Sequence, residues 1–460
     1  MKRPLLWLAL LSHFVFATAY LLRTPAFEGP DENAHCYYAS YLEHTGSLPV
    51  IVNSCSPLLD GAAAHHPPLY YAVLIGLMKV LGTGDYTPCW SGNPEWATAS
   101  PRGHLHFVHG HDEAAPVSDE IVMLRILRGF SVLCGAATIL LTHRLGLALF
   151  PRTPRIAEVA ALALACLPQW SWMHGCLDNG NLAATLSVAT LLVLVRGLQA
   201  RRLGAGRGLA AGTIAGLALI TKLTALFLLP LLLCTYAYGL LAWRQQRRAT
   251  AASGSAALLA LLAVSGWSFW RNIEIYGDPF MLEAIAGPLA QNMVPEGQRW
   301  SYLTGDFLTR TFGSAIAGFG WNLTRLPAAI EWCSLGLIVA ALAGAAAHRR
   351  ELWRQGGAAL ALTVLAVLIV IAGVAKLNAS YVQPQGRYLF PAFGPFLVLV
   401  SAGLVLTARG ALQRFGRAST ALALLPVGAA ACTFAFVFLP EFPRQVTATS
   451  PFYASMVEGL

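Results

Sequence analysis

The chain has 460 residues, of which 56% are hydrophobic and only 12% charged, and its formal net charge is +9. That balance excludes a soluble globular domain and defines a polytopic membrane protein. The basic excess is distributed between loops as membrane topology requires, so a nucleic-acid partner has no support.

Apolar runs long enough, or nearly long enough, to span lie at 5–22, 129–150, 156–175, 182–199, 208–221, 223–242, 253–270, 328–347, 357–375, 388–408 and 418–439. The predicted fold class is therefore all-α, a single transmembrane domain over 1–460 with about eleven membrane helices. The first run follows Lys2-Arg3 and carries Ala17-Thr18-Ala19, a signal-peptide pattern; its apolar length favours an uncleaved anchor. The run at 208–221 is short, which predicts a broken pair bending at Lys222. With the N-terminus cytoplasmic, the inner segments hold more than half of the 31 basic residues and only two of the 22 acids, Glu158 and Glu351. Every loop then obeys the positive-inside rule.

Residues 23–124 are expected to form one large extracytoplasmic loop with juxtamembrane helices, and 271–327 a second outer loop. The first loop opens with Glu28-Gly29-Pro30-Asp31-Glu32-Asn33-Ala34-His35, adjacent carboxylates and a histidine against a membrane face. Pro30 suits the first helical position, and Asp31 and Glu32 suit the positive end of the helix. At 100° per residue Ala34, Tyr37, Tyr38, Tyr41 and Leu42 form an apolar arc that includes Asp31 and excludes Glu32. The wheel therefore turns Asp31 inward and Glu32 to water, with His35 one turn on to hold Asp31 in position. An N-cap acid on an interfacial helix is the plainer alternative. The apolar stretch 67–82 is about 24 Å of helix, too short for a core of about 30 Å, and is expected to lie at the interface. The segment 83–120 that follows is acidic and belongs outside.

Six of the nine cysteines, Cys134, Cys166, Cys176, Cys234, Cys333 and Cys432, fall in or at spans and read as buried packing residues. Cys36, Cys55 and Cys89 lie in the outer loop, where a Cys55–Cys89 bridge is an option. His104, His106, His109 and His111, followed by Asp112 and Glu113, resemble a metal-ligand tract, but a mobile solvated loop explains them as well. No metal site is assigned and no cofactor is firmly implied; a divalent metal stays open. Walker A, HExxH, GxSxG and dinucleotide patterns do not occur.

Under this topology one membrane face gathers Asp31, His35, His65, His66, Arg125, Arg128, His174, Asp178, Asn179, Asn181, Lys222, Arg271, Lys376, Gln385, Arg387 and Tyr388 from most of the helices. A single cation at a helix end is ordinary snorkelling, whereas such a gathering marks a site. One acid that can take a proton beside several cations suits general-base catalysis on a phosphorylated substrate. Gln385-Gly386-Arg387-Tyr388 puts an Arg on flexible backbone, suited to bidentate phosphate binding, and Lys222 sits between two apolar runs as a point charge. Arg125 and Arg128 occupy the unfavourable end of their helix, which implies an acidic ligand or partner. The turn from Trp172 to Asn181 can bind sugar hydroxyls or simply cap two helices.

In chain order these features resemble the GT-C class of integral-membrane glycosyltransferases that use polyprenyl-phosphate sugars. That class includes protein O-mannosyltransferases and the lipid A aminoarabinose transferases. The matching elements are Asp31-Glu32 after the first span, Gly46-Ser47-Leu48-Pro49, His66-Pro67-Pro68-Leu69-Tyr70, Arg125 to Arg128, Gly216-Leu217-Ala218 to Lys222, Arg271-Asn272 with Tyr276-Gly277-Asp278-Pro279, and Gln385 to Pro391. The 83–120 insertion departs from the common pattern. The resemblance implies an inverting transferase at the outer face of a bacterial inner membrane, moving a hexosyl or pentosyl unit from polyprenyl phosphate to a glycan, lipid or protein hydroxyl. Asp31 or Glu32 would be the base, Asp31 being favoured. His35, His66, Arg125, Arg128, Asp178, Asn179, Lys222, Arg271, Gln385, Arg387 and Tyr388 would bind substrate, Arg387 and Lys222 taking the phosphate. A transporter or flippase of lipid-linked sugars, and an O-antigen-ligase-like enzyme using a polyprenyl diphosphate donor, are the alternatives.

Overall fold

The computed structural model describes residues 4–51, 63–82, 92–93, 105–109, 113, 118–320, 322–409 and 425–441. Among them eight helices are long and apolar enough to cross a membrane. They are α1 (Pro4–Arg23), α4 (Asp119–Leu149), α7 (Asn179–Gln199), α9 (Leu228–Ala242, extended by the 3-10 turn Leu223–Phe227), α10 (Arg247–Tyr276), α14 (Ala328–Ala347), α15 (Arg349–Asn378) and α16 (Phe390–Thr407).

Three of the eleven expected spans do not reach that standard, each for a local reason. The run at 156–175 is two helices, α5 (Arg155–Ala165) and α6 (Pro168–Met173), with Leu167 extended between them. Pro168 lacks the N–H that would continue α5 and clashes with the preceding turn. The run at 208–221 is α8 (Ala205–Leu219), which stops before an extended Lys222, so the bend falls at the expected residue. The last run is represented by α17 (Leu425–Thr433) and a π-helical turn over Phe434–Phe438, and its first part lies outside the described residues.

The outer loop contributes α2 (Glu32–Thr45) and α3 (Leu69–Leu81). At 13 residues α3 is about 20 Å long, too short to span, and it packs on α2 through stacked Tyr38 and Tyr71 rings 3.7 Å apart. The segment 83–120 is described only at residues 92–93, 105–109, 113 and 118–120, and Cys55 and Cys89 lie outside the described residues. The 271–327 loop holds α11 (Leu282–Leu289), α12 (Arg299–Thr304), α13 (Asp306–Ile316) and a small hairpin pairing Gly318–Phe319 with Thr324–Arg325.

The main core lies between α4, α7, α8, α9, α15 and α16, where Leu145, Leu191, Val195, Leu231, Leu362 and Val398 meet. Between α8 and α10 the contact runs through small residues: a Cβ at Gly216 would sit 2.9 Å from Val264 Cβ. Membrane helices associate by such close backbone approach because lipid supplies no hydrophobic drive between them. Cys134, Cys166 and Cys176 are buried as expected, but Cys234, Cys333 and Cys432 are exposed on the surfaces of their helices.

Candidate active site

The turn that leaves α1 is held by its two outer carboxylates, Glu28 and Glu32, while Asp31 between them is turned elsewhere. Glu28 is buried and accepts from the backbone N–H groups of His106 (2.8 Å) and Phe107 (2.9 Å), with His109 Nε2 at 3.0 Å. Glu32 is 0% exposed and accepts from Phe27 N (3.1 Å), Leu177 N (2.8 Å) and both Nε (2.8 Å) and Nη2 (2.5 Å) of Arg128. The remaining Arg128 N–H groups donate to the carbonyls of Leu21, Thr24 and Pro25. All five guanidinium donors are thereby used.

This overturns two expectations. Glu32 does not face water and has no free oxygen with which to act as a base. Arg128, expected to bind substrate, has every N–H group engaged by the scaffold. The wheel found only part of the buried surface: Ala34 and Tyr38 of the arc are buried, but so are Glu32, His35, Cys36, Ala39 and Ser40, while Tyr37 and Tyr41 are only half-buried. Burial extends round the helix past the apolar residues and takes in Glu32, so an arc drawn through apolar side chains alone does not mark the edge of the interior. Pro30 is not the first helical residue either. The helix begins at Glu32, and Asp31 precedes it in the left-handed region (φ 62°, ψ 9°) without capping the helix by its side chain.

Because Asp31 is left-handed its side chain departs from the helical wheel altogether, and it is 31% exposed. Its Oδ2 pairs with Nη2 of Arg387. Arg387 Nη1 donates to Asp178 Oδ2 (2.8 Å) and to the Pro30 carbonyl (3.1 Å), and its Nε donates to Gln385 Oε1 (2.7 Å). Asp178 in turn accepts from Lys222 Nζ at 3.2 Å and from the Gly180 N–H. Asp31, Arg387, Asp178 and Lys222 thus form one alternating chain of charges drawn from four elements. Each member is positioned locally: Asp178 as N-cap of α7, Lys222 in the break after α8, Arg387 in the 3-10 turn Gly386–Leu389.

The electrostatics follow from that chain. Burial works to raise the Asp31 pKa, but the charge of Arg387 outweighs it and holds the carboxyl below its ordinary range. Asp178 is likewise lowered against the effect of burial, by Lys222 and then Arg387. Both acids are ionised at neutral pH. Beside them His35 Nδ1 lies 2.9 Å from the Tyr71 hydroxyl and its ring stacks on His66 at 5.6 Å. Burial pushes His35 and His65 down to about 4 and His66 well below its ordinary value, so this histidine group is neutral.

The other expected site residues divide. Tyr388 lies against Arg387, its ring centroid 5.4 Å from the guanidinium carbon, and Gln385 orients Arg387. Asn179 is buried and donates to the Thr221 carbonyl at 3.4 Å, bracing the backbone before Lys222. Arg271 does not join the cluster: it donates to the carbonyls of Leu48 (3.2 Å) and Pro49 (3.0 Å), tying α10 to the segment after α2. Arg125 is half-buried on the turn before Arg128, outside the charge chain. Among the described residues no group of three or more His, Cys, Asp or Glu side chains is arranged to hold a metal ion.

His109 shows what part of the histidine tract does; His104 and His111 lie outside the described residues. Buried between Glu28 (3.0 Å) and Glu113 (2.5 Å), it joins the outer loop to the Asp31 turn. Burial alone would lower its pKa, but the bonds to Glu113 and Glu28 raise it to about 9, and Glu113 is lowered in return despite burial. A raised histidine contributes all its stabilisation below its ordinary value of 6.5 and loses it as pH climbs through about 9. A lowered Glu113 contributes fully above 4.5 and loses it as pH falls through its folded value. Thermal unfolding should therefore show a loss of stability between pH 6.5 and 9 that His109→Gln makes shallower; an unchanged slope in that variant counts against the brace. The sequence signal for it was present in Glu28, an acid three residues before Asp31, but nothing local linked it to a histidine 81 residues away.

The arrangement of helices is GT-C-like, the fold shared with the ArnT crystal structures. A family model described as dolichyl-phosphate-mannose-protein mannosyltransferase matches residues 123–270, about a third of the chain. The apo crystal structure of ArnT from Cupriavidus metallidurans superposes with a TM-score of 0.51 and 17% identity, covering 95% of this chain and 66% of that one. The crystal structure of the same protein bound to undecaprenyl phosphate gives 0.50 and 16%, covering 88% and 60%. The chain thus spans less than two thirds of the length of those structures. No curated protein sequence matches it.

Proposed function

We propose that the protein is an inverting glycosyltransferase that moves a sugar from a polyprenyl-phosphate donor to an acceptor hydroxyl at the outer face of a bacterial inner membrane. The observation that carries this reading is the Asp31–Arg387–Asp178–Lys222 chain, in which a partly exposed carboxylate shares a guanidinium suited to phosphate. Sidedness rests on the distribution of basic residues between loops. The dolichyl-phosphate-mannose specificity named for the matched family and the ligand of the ArnT crystal structure favour a polyprenyl-phosphate donor. The acceptor, whether glycan, lipid or protein, and the choice between a hexosyl and a pentosyl unit belong to the same proposal.

In this mechanism Asp31 takes the proton of the acceptor hydroxyl as its oxygen attacks the anomeric carbon. The bond from that carbon to the phosphate oxygen breaks with inversion, and polyprenyl phosphate leaves with the electron pair. Arg387 has two roles that compete. In the free protein it binds Asp31 and weakens it as a base, because a lowered pKa is a lowered proton affinity. A donor phosphate that draws Arg387 toward itself restores that affinity, so the base strengthens when the donor is in place. The neutral imidazoles of His35, His65 and His66 then offer hydrogen-bonding groups beside the acid without adding positive charge.

The test is transfer from a polyprenyl-phosphate sugar by purified protein in nanodiscs, with mass spectrometry of lipid-linked sugars in cells with and without the chain. Arg387→Ala should lower kcat/KM by about 100- to 1,000-fold, since charge grows on the leaving phosphate in the transition state. Lys222→Ala should do the same to a smaller extent, because Lys222 meets the chain only through Asp178. Parental kcat/KM in both variants would remove the phosphate assignment.

A further inference from the structure

At the end of the bundle away from Asp31, a wide-open surface cavity of about 650 Å³ lies between α4, α7 and α8. Three arginines line it, Arg144, Arg196 and Arg207, together with Gln199 and the apolar Leu147 and Pro151. They come from three different helices. Along α7 the cavity lies 21 residues from Asp178, about 30 Å at 1.5 Å per residue, so it is separate from the charge chain.

A basic excess at this face is what membrane topology produces, and that alone explains the sign of the charge. It does not explain the convergence. Elsewhere on the same face Arg409 has Glu351 at 3.4 Å, while Arg207 of the cavity donates to the Arg202 carbonyl much as Arg247 does to that of Leu240. No carboxylate lines the cavity, and no ion pair neutralises its three arginines among the described residues. Arg144 and Arg196 are exposed and Arg207 is half-buried, so water screens their mutual repulsion, but an anion seated among them meets three positive charges at once. Planar guanidinium donors match phosphate oxygens, and basic pockets between membrane helices suit phosphorylated headgroups.

We infer that this cavity binds a phosphate group, carried by a phospholipid headgroup or free in solution. Its place at the helix ends and its apolar wall favour the lipid source. The experiment compares the parent, R144Q/R196Q/R207Q and a control, R247Q/R248Q/R350Q, which removes equal charge from the same face outside the cavity. Native mass spectrometry counts bound phosphatidylglycerol against phosphatidylcholine, and thermal unfolding is followed with added inorganic phosphate. Retention of phosphatidylglycerol should fall by about tenfold or more in the cavity variant and change by less than about twofold in the control, because only the cavity variant loses direct guanidinium–phosphate hydrogen bonds. If inorganic phosphate stabilises the parent but not the cavity variant while lipid retention is equal, the ligand is free phosphate. Equal losses in the two variants, or none in either, would overturn the inference and leave only a general surface charge. Should the cavity variant fail to fold, phenylglyoxal labelling of the parent decides: phosphatidylglycerol or inorganic phosphate must protect Arg144 and Arg196 more than Arg247 and Arg248, and uniform labelling refutes the site.

Discussion

Asp31→Asn should lower turnover by about 100- to 10,000-fold, the usual contribution of a general base, while donor affinity survives. The substitution suits the position unusually well. Residue 31 is left-handed, at φ 62°, and Asn tolerates that region as readily as Asp does, so the turn between α1 and α2 is kept. What disappears is the proton acceptor and half of one ion pair. Arg387 keeps Asp178, the Pro30 carbonyl and Gln385, so it stays in place for the phosphate. Donor KM should hold or fall, because a guanidinium freed from Asp31 is better able to bind an anion. Near-parental turnover in this variant would show that the turn does no chemistry and would bring forward a transporter of lipid-linked sugars.

Glu32→Gln should instead fail as a fold. The carboxylate is wholly buried and, among the described residues, is the acid that pairs directly with the buried guanidinium of Arg128. Gln keeps one acceptor oxygen and loses the charge, leaving a buried cation uncompensated, at a cost of about 3–5 kcal/mol. Intrinsic fluorescence during heating in detergent should report the loss, and the purified fraction should shrink. Glu32→Gln/Arg128→Met should recover part of it, because removing both charges avoids the stranded one, although the carbonyls of Leu21, Thr24 and Pro25 then lose their donor. A Glu32→Gln protein that unfolds at the parental temperature and yet transfers no sugar would make Glu32 the base and Asp31 its neighbour. The two adjacent acids are thus separable by readout, one by rate and one by stability.

The same pair shows where a reading of residues stops. That acids and cations gather at one end of the bundle is legible in the sequence, since span ends and loop charges are local properties. Their division of labour is not. Arg128 and Arg387 look alike as cations near the start of an apolar run, yet one has all five donors consumed by the scaffold while the other bridges two acids drawn from distant parts of the chain. Arg271 carried the same signature, yet its Nη2 ties Leu48 and Pro49 to α10 and it stands apart from the charge chain.

By itself the sequence determined the membrane class, eight of the eleven expected spans, the shortness of α3 and the break at Lys222, because hydrophobic length and helix-breaking residues act within a few turns. Tertiary structure alone decided that Asp31 is the accessible acid and Glu32 the buried one. A single left-handed residue takes Asp31 off the helical wheel, and an arginine 96 positions along the chain claims its neighbour. Backbone handedness at one residue and pairing across such a separation have no signature in periodicity, because periodicity assumes a regular helix and sees only near neighbours.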